Sequence, residues 1–502
     1  MKSRPGLAIL IASIFALSGC GSDNREVGDG GTASFQASAA CIGCHGNNKI
    51  SPVTGVQIAD EWRASAHNTG NGASCADCHK PQGHPNGGTI ISNPNDTVCA
   101  ECHTTASLGS PHFSTFTSAN QPQFVSTQDT QQCRVCHNPH DVSSVIQVNR
   151  DFAESGHGDI TSPAFTGRNW PASNPCVRCH TSTGYVSYVN SGGTTISTFT
   201  GRNEVVACKT CHTDYSWQRR QVGAVTNPRY TNVTSIHYPD AGESNICLTC
   251  HVGREAGASI RQSAGFLNFT GSTNFINSHY LTAGGVIYSA SGYEYAGRDY
   301  SGPSFYQHDD VGAASGDGPC VGCHMKTTKN HEFLPVEKDA NGVVTAVISV
   351  SCADCHGSGS PTAAELEQEK TGLAAATDAL EATLAALNIF FGPNHPYFFT
   401  SATTQTSATQ VRKWSKFSPA TFDTGRNTMG AAFNLNMVLH DPGAYAHNRF
   451  YVKRLVYDSI DWANNGILDN DVEAAINASS LTATQKTDAI DYLIGGAGGT
   501  RP

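Results

Sequence analysis

Three regimes of apolar patterning divide this chain. Behind Lys2 and Arg4 an apolar run extends from Leu7 to Leu17. A basic start followed by a run of this length reads as an export signal, too short for a membrane span. At the other end, Leu366, Leu373, Leu380, Leu384, Leu387 and Phe391 recur at helical spacing. Thr362 and Glu365 supply a capping box for that helix, and Gly392-Pro393 is its predicted stop. Further helical patterns cover 428–439 and, begun by Pro442, a stretch reaching Trp462. Weaker ones cover 471–477 and 482–494. Between these ends the pattern offers little. Residues 21–40 are small and polar and read as a flexible tether. Glu61–His67 reads as a short helix, and Asp151–His157 echoes its ending. Residues 252–319 are rich in glycine and tyrosine, with Tyr280, Tyr288, Tyr293, Tyr295, Tyr300 and Tyr306.

Composition sharpens the picture. A chain of 502 residues suggests roughly three domains by length alone. Yet charged residues make up only 14%, and large aliphatics are scarce outside the two ends. Such a peptide struggles to bury a core unaided.

The cysteines supply the reason. Eighteen of the nineteen fall in nine copies of one unit, two cysteines three positions apart followed at once by histidine. The first four copies are Cys41, Cys44 and His45; Cys75, Cys78 and His79; Cys99, Cys102 and His103; and Cys133, Cys136 and His137. Their start-to-start spacings of 34, 24 and 34 hint at a duplicated two-unit module. Three more are Cys176, Cys179 and His180; Cys208, Cys211 and His212; and Cys247, Cys250 and His251. The last two are Cys320, Cys323 and His324, then Cys352, Cys355 and His356. This is the c-type haem attachment pattern. Each thiol adds to one vinyl group of the porphyrin, and the histidine turns its imidazole under the iron. A lone pair of cysteines would equally suit zinc, a redox dithiol or a disulfide. Nine complete copies do not, since chance gives well under ~0.1 in a chain of this length.

Covalent haem c, nine groups in all, then provides the missing apolar surface. The expected fold is mainly α with extensive irregular structure. Polypeptide wraps a multihaem array over 41–360, and a haem-free helical bundle occupies 361–502. The central tyrosines are expected to pack, on haem faces among other places, before they relay charge.

Nine irons need nine further ligands if all are six-coordinate. Twelve histidines remain outside the units, against four methionines. Imidazole on both faces gives low-spin haem at lower potential than His/Met ligation. The choices for the distal position are His67, His112, His140, His157, His237, His279, His308, His331 and His447. His84, His395 and His440 stand in reserve. The first two precede prolines, and His440 abuts Asp441-Pro442, where it could serve only as a helix cap.

Charge adds a constraint. Loss of residues 1–19 moves the formal charge from −10 to −12. Propionates would deepen it, so nucleic acid is an unsuitable partner.

Three resemblances complete the reading. Leu17-Ser18-Gly19-Cys20 is similar to a bacterial lipobox. That implies cleavage before Cys20, lipidation of Cys20 and, with Gly21 following, an outer-membrane destination. Asp461–Asp469 partly resembles a calcium-binding EF-hand loop with Gly466 at the sharp turn. Ala463 and Val472 stand where oxygen ligands belong, so a helix–turn–helix is the reading. Finally, the haem units resemble those of multihaem c-type cytochrome lipoproteins of metal-reducing bacteria. Cys320–Met325 with His331–Pro335, and Gly430–Asn434 with Asp441–Asn448, look like blocks from that group. The resemblance implies electron transfer at the cell envelope, with other redox proteins or cytochromes and extracellular metal acceptors as partners, and a membrane reached through the lipid. The rival is a multihaem oxidoreductase with one open haem acting on a small nitrogen or sulfur oxyanion. No CxxCK unit of the nitrite-reductase kind occurs. A carrier or conduit is therefore favoured over an enzyme.

Overall fold

The computed structural model describes residues 33–502 except 52–54, 69–71, 93, 95, 103–139, 141–147, 149–150, 202, 214–217, 232, 262–272, 404, 406–409 and 415–424. Cys20, His103, His112 and the fourth unit, Cys133, Cys136 and His137, lie outside the described residues. The described chain is mainly helical with long irregular stretches and two two-stranded antiparallel sheets. It divides into two compact units, one of residues 1–187 and 196–219, the other of 188–195 and 220–502.

The first unit is made of short helices joined by polar contacts. Ala33–His45 packs on Cys75–His79, and the Ser38 hydroxyl accepts the Cys75 amide at 3.0 Å. Ile58–Ala64 buries Trp62, whose indole N–H donates to the Ala73 carbonyl at 3.1 Å. The predicted helix through His67 in fact ends at Ala64. His67 follows in a separate 3₁₀ turn, Ala66–Asn68. Further on, the buried Glu204 carboxylate accepts the Thr183 amide at 2.7 Å and its hydroxyl at 2.8 Å. It thereby satisfies one of the N–H groups that open the Ser182–Asn190 helix. A chain poor in large aliphatics is held here by buried, paired polar groups.

The second unit contains the larger apolar core. Thr362 caps the helix Ala363–Ala386 as a capping box, its hydroxyl accepting the Glu365 amide at 3.2 Å. That helix packs on Ala483–Ile494 and on Arg449–Asn465, and the latter packs on Arg426–Leu439. Leu373, Leu380, Leu384, Met429, Phe433, Leu455 and Ile460 share one core with Ile260, Ile276, Val286, Tyr293 and Tyr295. The tyrosine-rich stretch therefore packs against the C-terminal helices. Residues 361–502 belong to the same compact unit as the haem units at Cys247, Cys320 and Cys352.

Several predicted boundaries moved. The long helix stops at Ala386, before Gly392-Pro393, because Asn388 turns to φ 55° and Phe390–Phe391 pair with Phe398–Phe399. Pro442 does not open one helix reaching Trp462. A short Ala444–His447 turn comes first, and Asn448 then caps Arg449–Asn465 by accepting the Tyr451 amide at 3.0 Å. The EF-hand-like stretch is a helix–turn–helix closed by Gly466 at φ 81°. Asp461 is fully buried and accepts from the Arg298 guanidinium at 2.8 Å and from the Asn470 and Asp471 amides at 3.1 and 3.0 Å. Its oxygens are committed to those donors.

Candidate haem-binding sites

Each described attachment unit sits in or beside a short helix, among them Cys75–His79, Val177–His180, Asn245–His251, Gly318–His324 and Val350–His356. Helical spacing explains the unit. Positions three and four apart share a face, so both thiols and the histidine present to one side.

The imidazoles are oriented for a metal. His79 Nδ1 meets the Ile91 carbonyl at 2.7 Å, His180 Nδ1 the Ala164 carbonyl at 3.0 Å, and His324 Nδ1 the Phe333 carbonyl at 2.6 Å. A carbonyl only accepts, so Nδ1 carries the proton and Nε2 keeps its lone pair. Burial, and then the nearby His447 and His251, push His324 down to about 4 despite its carbonyl partner. It stays neutral, the form that binds metal.

Four imidazole pairs carry the geometry further. Ring centroids are 6.0 Å apart for His45 and His84, and 6.1 Å apart for His79 and His140. They are 6.2 Å apart both for His308 with His356 and for His324 with His447. An iron between two imidazoles, each bond about 2.0 Å long, separates the ring centroids by roughly 6.3 Å. All four pairs thus have the centroid separation that two imidazoles sharing one iron would have. Each joins an attachment-unit histidine to one from elsewhere in the chain, so these residues fit bis-histidine haem.

Successive units also touch. In the first unit of the fold, Cys41 hydrogen-bonds Cys75, while burial and then Cys99 push the Cys78 thiol up to about 11. In the second, Cys320 is lowered chiefly by a hydrogen bond to Cys247, while burial and then Cys352 push Cys323 up to about 12. Ser244 fixes that junction, its hydroxyl donating to the Asp317 carbonyl at 2.7 Å and accepting the Val321 amide at 2.9 Å. The attachment points of the first, second and third units therefore follow one another closely, as do those of the last three.

A family model described as a doubled CXXCH motif matches residues 67–108. Over 393 residues the chain is 40% identical to "C-type polyheme cytochrome OmcB" of Geobacter sulfurreducens, in strains DL-1 / KN400 and ATCC 51573 alike. The match covers 68% of this chain and 51% of that one. "C-type polyheme cytochrome OmcC" of the same organism is 38% identical over 401 residues, 70% of this chain and 51% of its own. The chain is a homologue of the polyhaem c-type cytochromes. It spans about half the length of the curated relatives it matches. No solved structure matches it.

Within this polyhaem chain the remaining candidates are distributed as follows. His67 lies on its 3₁₀ turn and His157 on the turn after a short helix. His237 Nδ1 donates to the Thr226 carbonyl. His279 takes φ 73° and sets its ring edge-on to Tyr280, while His331 Nδ1 meets the Asn330 side chain at 2.6 Å. His84 was only a reserve by sequence, yet it stands opposite His45. Its proline neighbour pointed to a turn, and nothing local showed where that turn would be placed. His440 is a reserve by structure as well. Its Nδ1 returns to the Asn436 carbonyl of its own helix at 2.8 Å, and its ring packs edge-on to Tyr280 and Tyr397. Sequence reasoning missed Asp441, whose carboxylate takes His447 Nδ1 at 2.8 Å. Burial opposes charge on His447, but that carboxylate outweighs it and raises the imidazole above its ordinary value.

Proposed function

We propose that this chain is an electron conduit of the cell envelope, carrying nine covalent haems of mostly bis-histidine ligation and anchored by lipid at Cys20. Bound haem supplies reversible one-electron chemistry. The rest is the work of the polypeptide. The cysteine pairs would hold each porphyrin covalently, the carbonyl-bound Nδ1 groups leave Nε2 as the nitrogen that would ligate, and a second imidazole would keep the ligand set the same in both oxidation states. The observation that carries the reading is the contact between attachment points of successive units, Cys41 with Cys75 and Cys247 with Cys320. Porphyrins attached at cysteines that close would stand within reach of rapid electron hopping. The pairing of attachment-unit and distal imidazoles at one iron's span argues against an open substrate position at those four sites. The names of the relatives support the same class.

No helix among the described residues is long and apolar enough to cross a membrane. Attachment through Cys20 accounts for an envelope location without one, and Cys20→Ser should move the protein to the soluble fraction with an unchanged haem spectrum. Acceptors consistent with this reading are a second cytochrome, a metal oxide or a soluble metal complex. The test of the conduit is combined. Intact mass should show nine haem additions, and a redox titration should give one broad, low-potential, wholly low-spin wave. Eight or fewer additions would refute the count. Fast turnover of nitrite, hydroxylamine or sulfite, abolished by blocking an open iron, would replace the conduit with an enzyme.

A further inference from the structure

The cysteine-free C-terminal segment completes the coordination of the last two irons, we propose, and so acts on the redox chain directly. The inference rests on the haem reading above. In it, His447 is the distal ligand opposite His324, at the Cys320 unit. His308 is the distal ligand opposite His356, at the Cys352 unit, and is held in place by the C-terminal segment.

The geometry is specific at both positions. His447 and His308 each stand 6.2 Å, centroid to centroid, from the histidine of an attachment unit. Each also has Nδ1 engaged. His447 Nδ1 donates to the buried Asp441 carboxylate at 2.8 Å, and His308 Nδ1 donates to the Ala446 carbonyl at 2.7 Å. Nε2 is then the only nitrogen left to ligate, on both rings. The two positions are tied together. The Tyr306 hydroxyl meets the His447 carbonyl at 2.8 Å and the Ile287 carbonyl at 3.0 Å. The short Ala444–His447 turn therefore carries one ligand and orients the other.

Gly443 shows that the His447 ring has no freedom on that side. A Cβ at Gly443 would lie 2.6 Å from Cε1 and 2.9 Å from Nε2 of the ring. Its φ of −107° suits any residue, so the glycine answers to the close approach and not to the backbone. Asp441 is a positioning residue. By accepting the Nδ1 proton it fixes the ring and increases its donation to iron, which favours the oxidised state.

The rival partner for His447 is His251. His251 lies within electrostatic reach of both Asp441 and His447, so it belongs to the same cluster. The ring pair at one iron's span is nevertheless with His324.

The test uses the full-length holoprotein. His447→Ala and His308→Ala should each keep nine haems by intact mass, gain one high-spin haem and bind one equivalent of carbon monoxide when reduced. The double variant should bind two. His440→Ala and His395→Ala should bind none. Should His447→Ala mature poorly, His447→Gly grown and assayed with imidazole should regain the low-spin spectrum. Asp441→Asn should remain wholly low-spin but shift one component of the redox titration upward, and Gly443→Ala should weaken the same ligation. A structure of His447→Ala should place the open iron over His324. An all-low-spin His447→Ala that binds no carbon monoxide, or an open iron over His251, would overturn the assignment. A parent protein with fewer than nine haems, or one already high-spin, would instead count against the haem reading itself.

Discussion

Asn434 shows how much one side chain settles here. It is fully buried in the Arg426–Leu439 helix. Its amide accepts the Tyr293 N–H at 2.7 Å and donates to the Tyr293 carbonyl at 2.9 Å and to Ser459 at 3.0 Å. It pairs with the backbone of Tyr293 as a neighbouring strand would, and so joins the tyrosine-rich stretch to the C-terminal helices. Asn434→Ala leaves those backbone groups buried and unpaired. The expected loss is about 2–4 kcal/mol, read as an earlier denaturant midpoint by circular dichroism with the haem count unchanged. Nothing in the sequence around Asn434 announces this. A buried asparagine in a helix is a poor helix former, and only its partner explains it.

At the scale of elements, what a few neighbouring residues decide was legible, and what a contact across a turn decides was not. Thr362 and Glu365 lie three apart, and their reciprocal hydrogen bonds form as the spacing implies, with Glu365 accepting the Thr362 amide at 2.8 Å. Thr362→Ala should cost about 1 kcal/mol, and Thr362→Ser should restore it. The measurement is the melting temperature of the holoprotein. The stop of the same helix was not legible. Leu387 and Phe391 continue the helical spacing, but Phe391 is used in a hairpin with Phe398, and that pairing is a contact across a turn. The break at Asn448 has the same origin. Its side chain both caps the next helix and donates to the Ser289 hydroxyl at 2.9 Å.

For the whole molecule, the division by cofactor and the division by packing differ. Haem units end at His356, whereas the compact units part between 187 and 220. Residues 361–502 supply one side of a core whose other side includes Ile260, Val286 and Tyr293. Deleting 361–502 should therefore expose that apolar side. Limited proteolysis should cut within 220–356, where the full chain resists. Haem attachment should survive, because it needs only the five residues of each unit. An intact 220–356 fragment after such digestion would show that the segment folds without its C-terminal partner.

By itself the sequence carried the attachment motif of the cofactor and the start of the Ala363–Ala386 helix. Those properties are local. A thioether pair with its histidine occupies five consecutive positions, and a capping box four, so each is written where it acts. Only the tertiary structure decided which imidazoles stand opposite one another, how the tyrosines pack and where the units divide. His84 reaches back past one attachment unit to His45, and His140 past two to His79. His447 comes to His324 from the C-terminal segment, beyond the last attachment unit in the sequence. A sixth ligand needs one free Nε2 at the right point in space, a demand that any histidine meets in sequence and that only the fold makes selective.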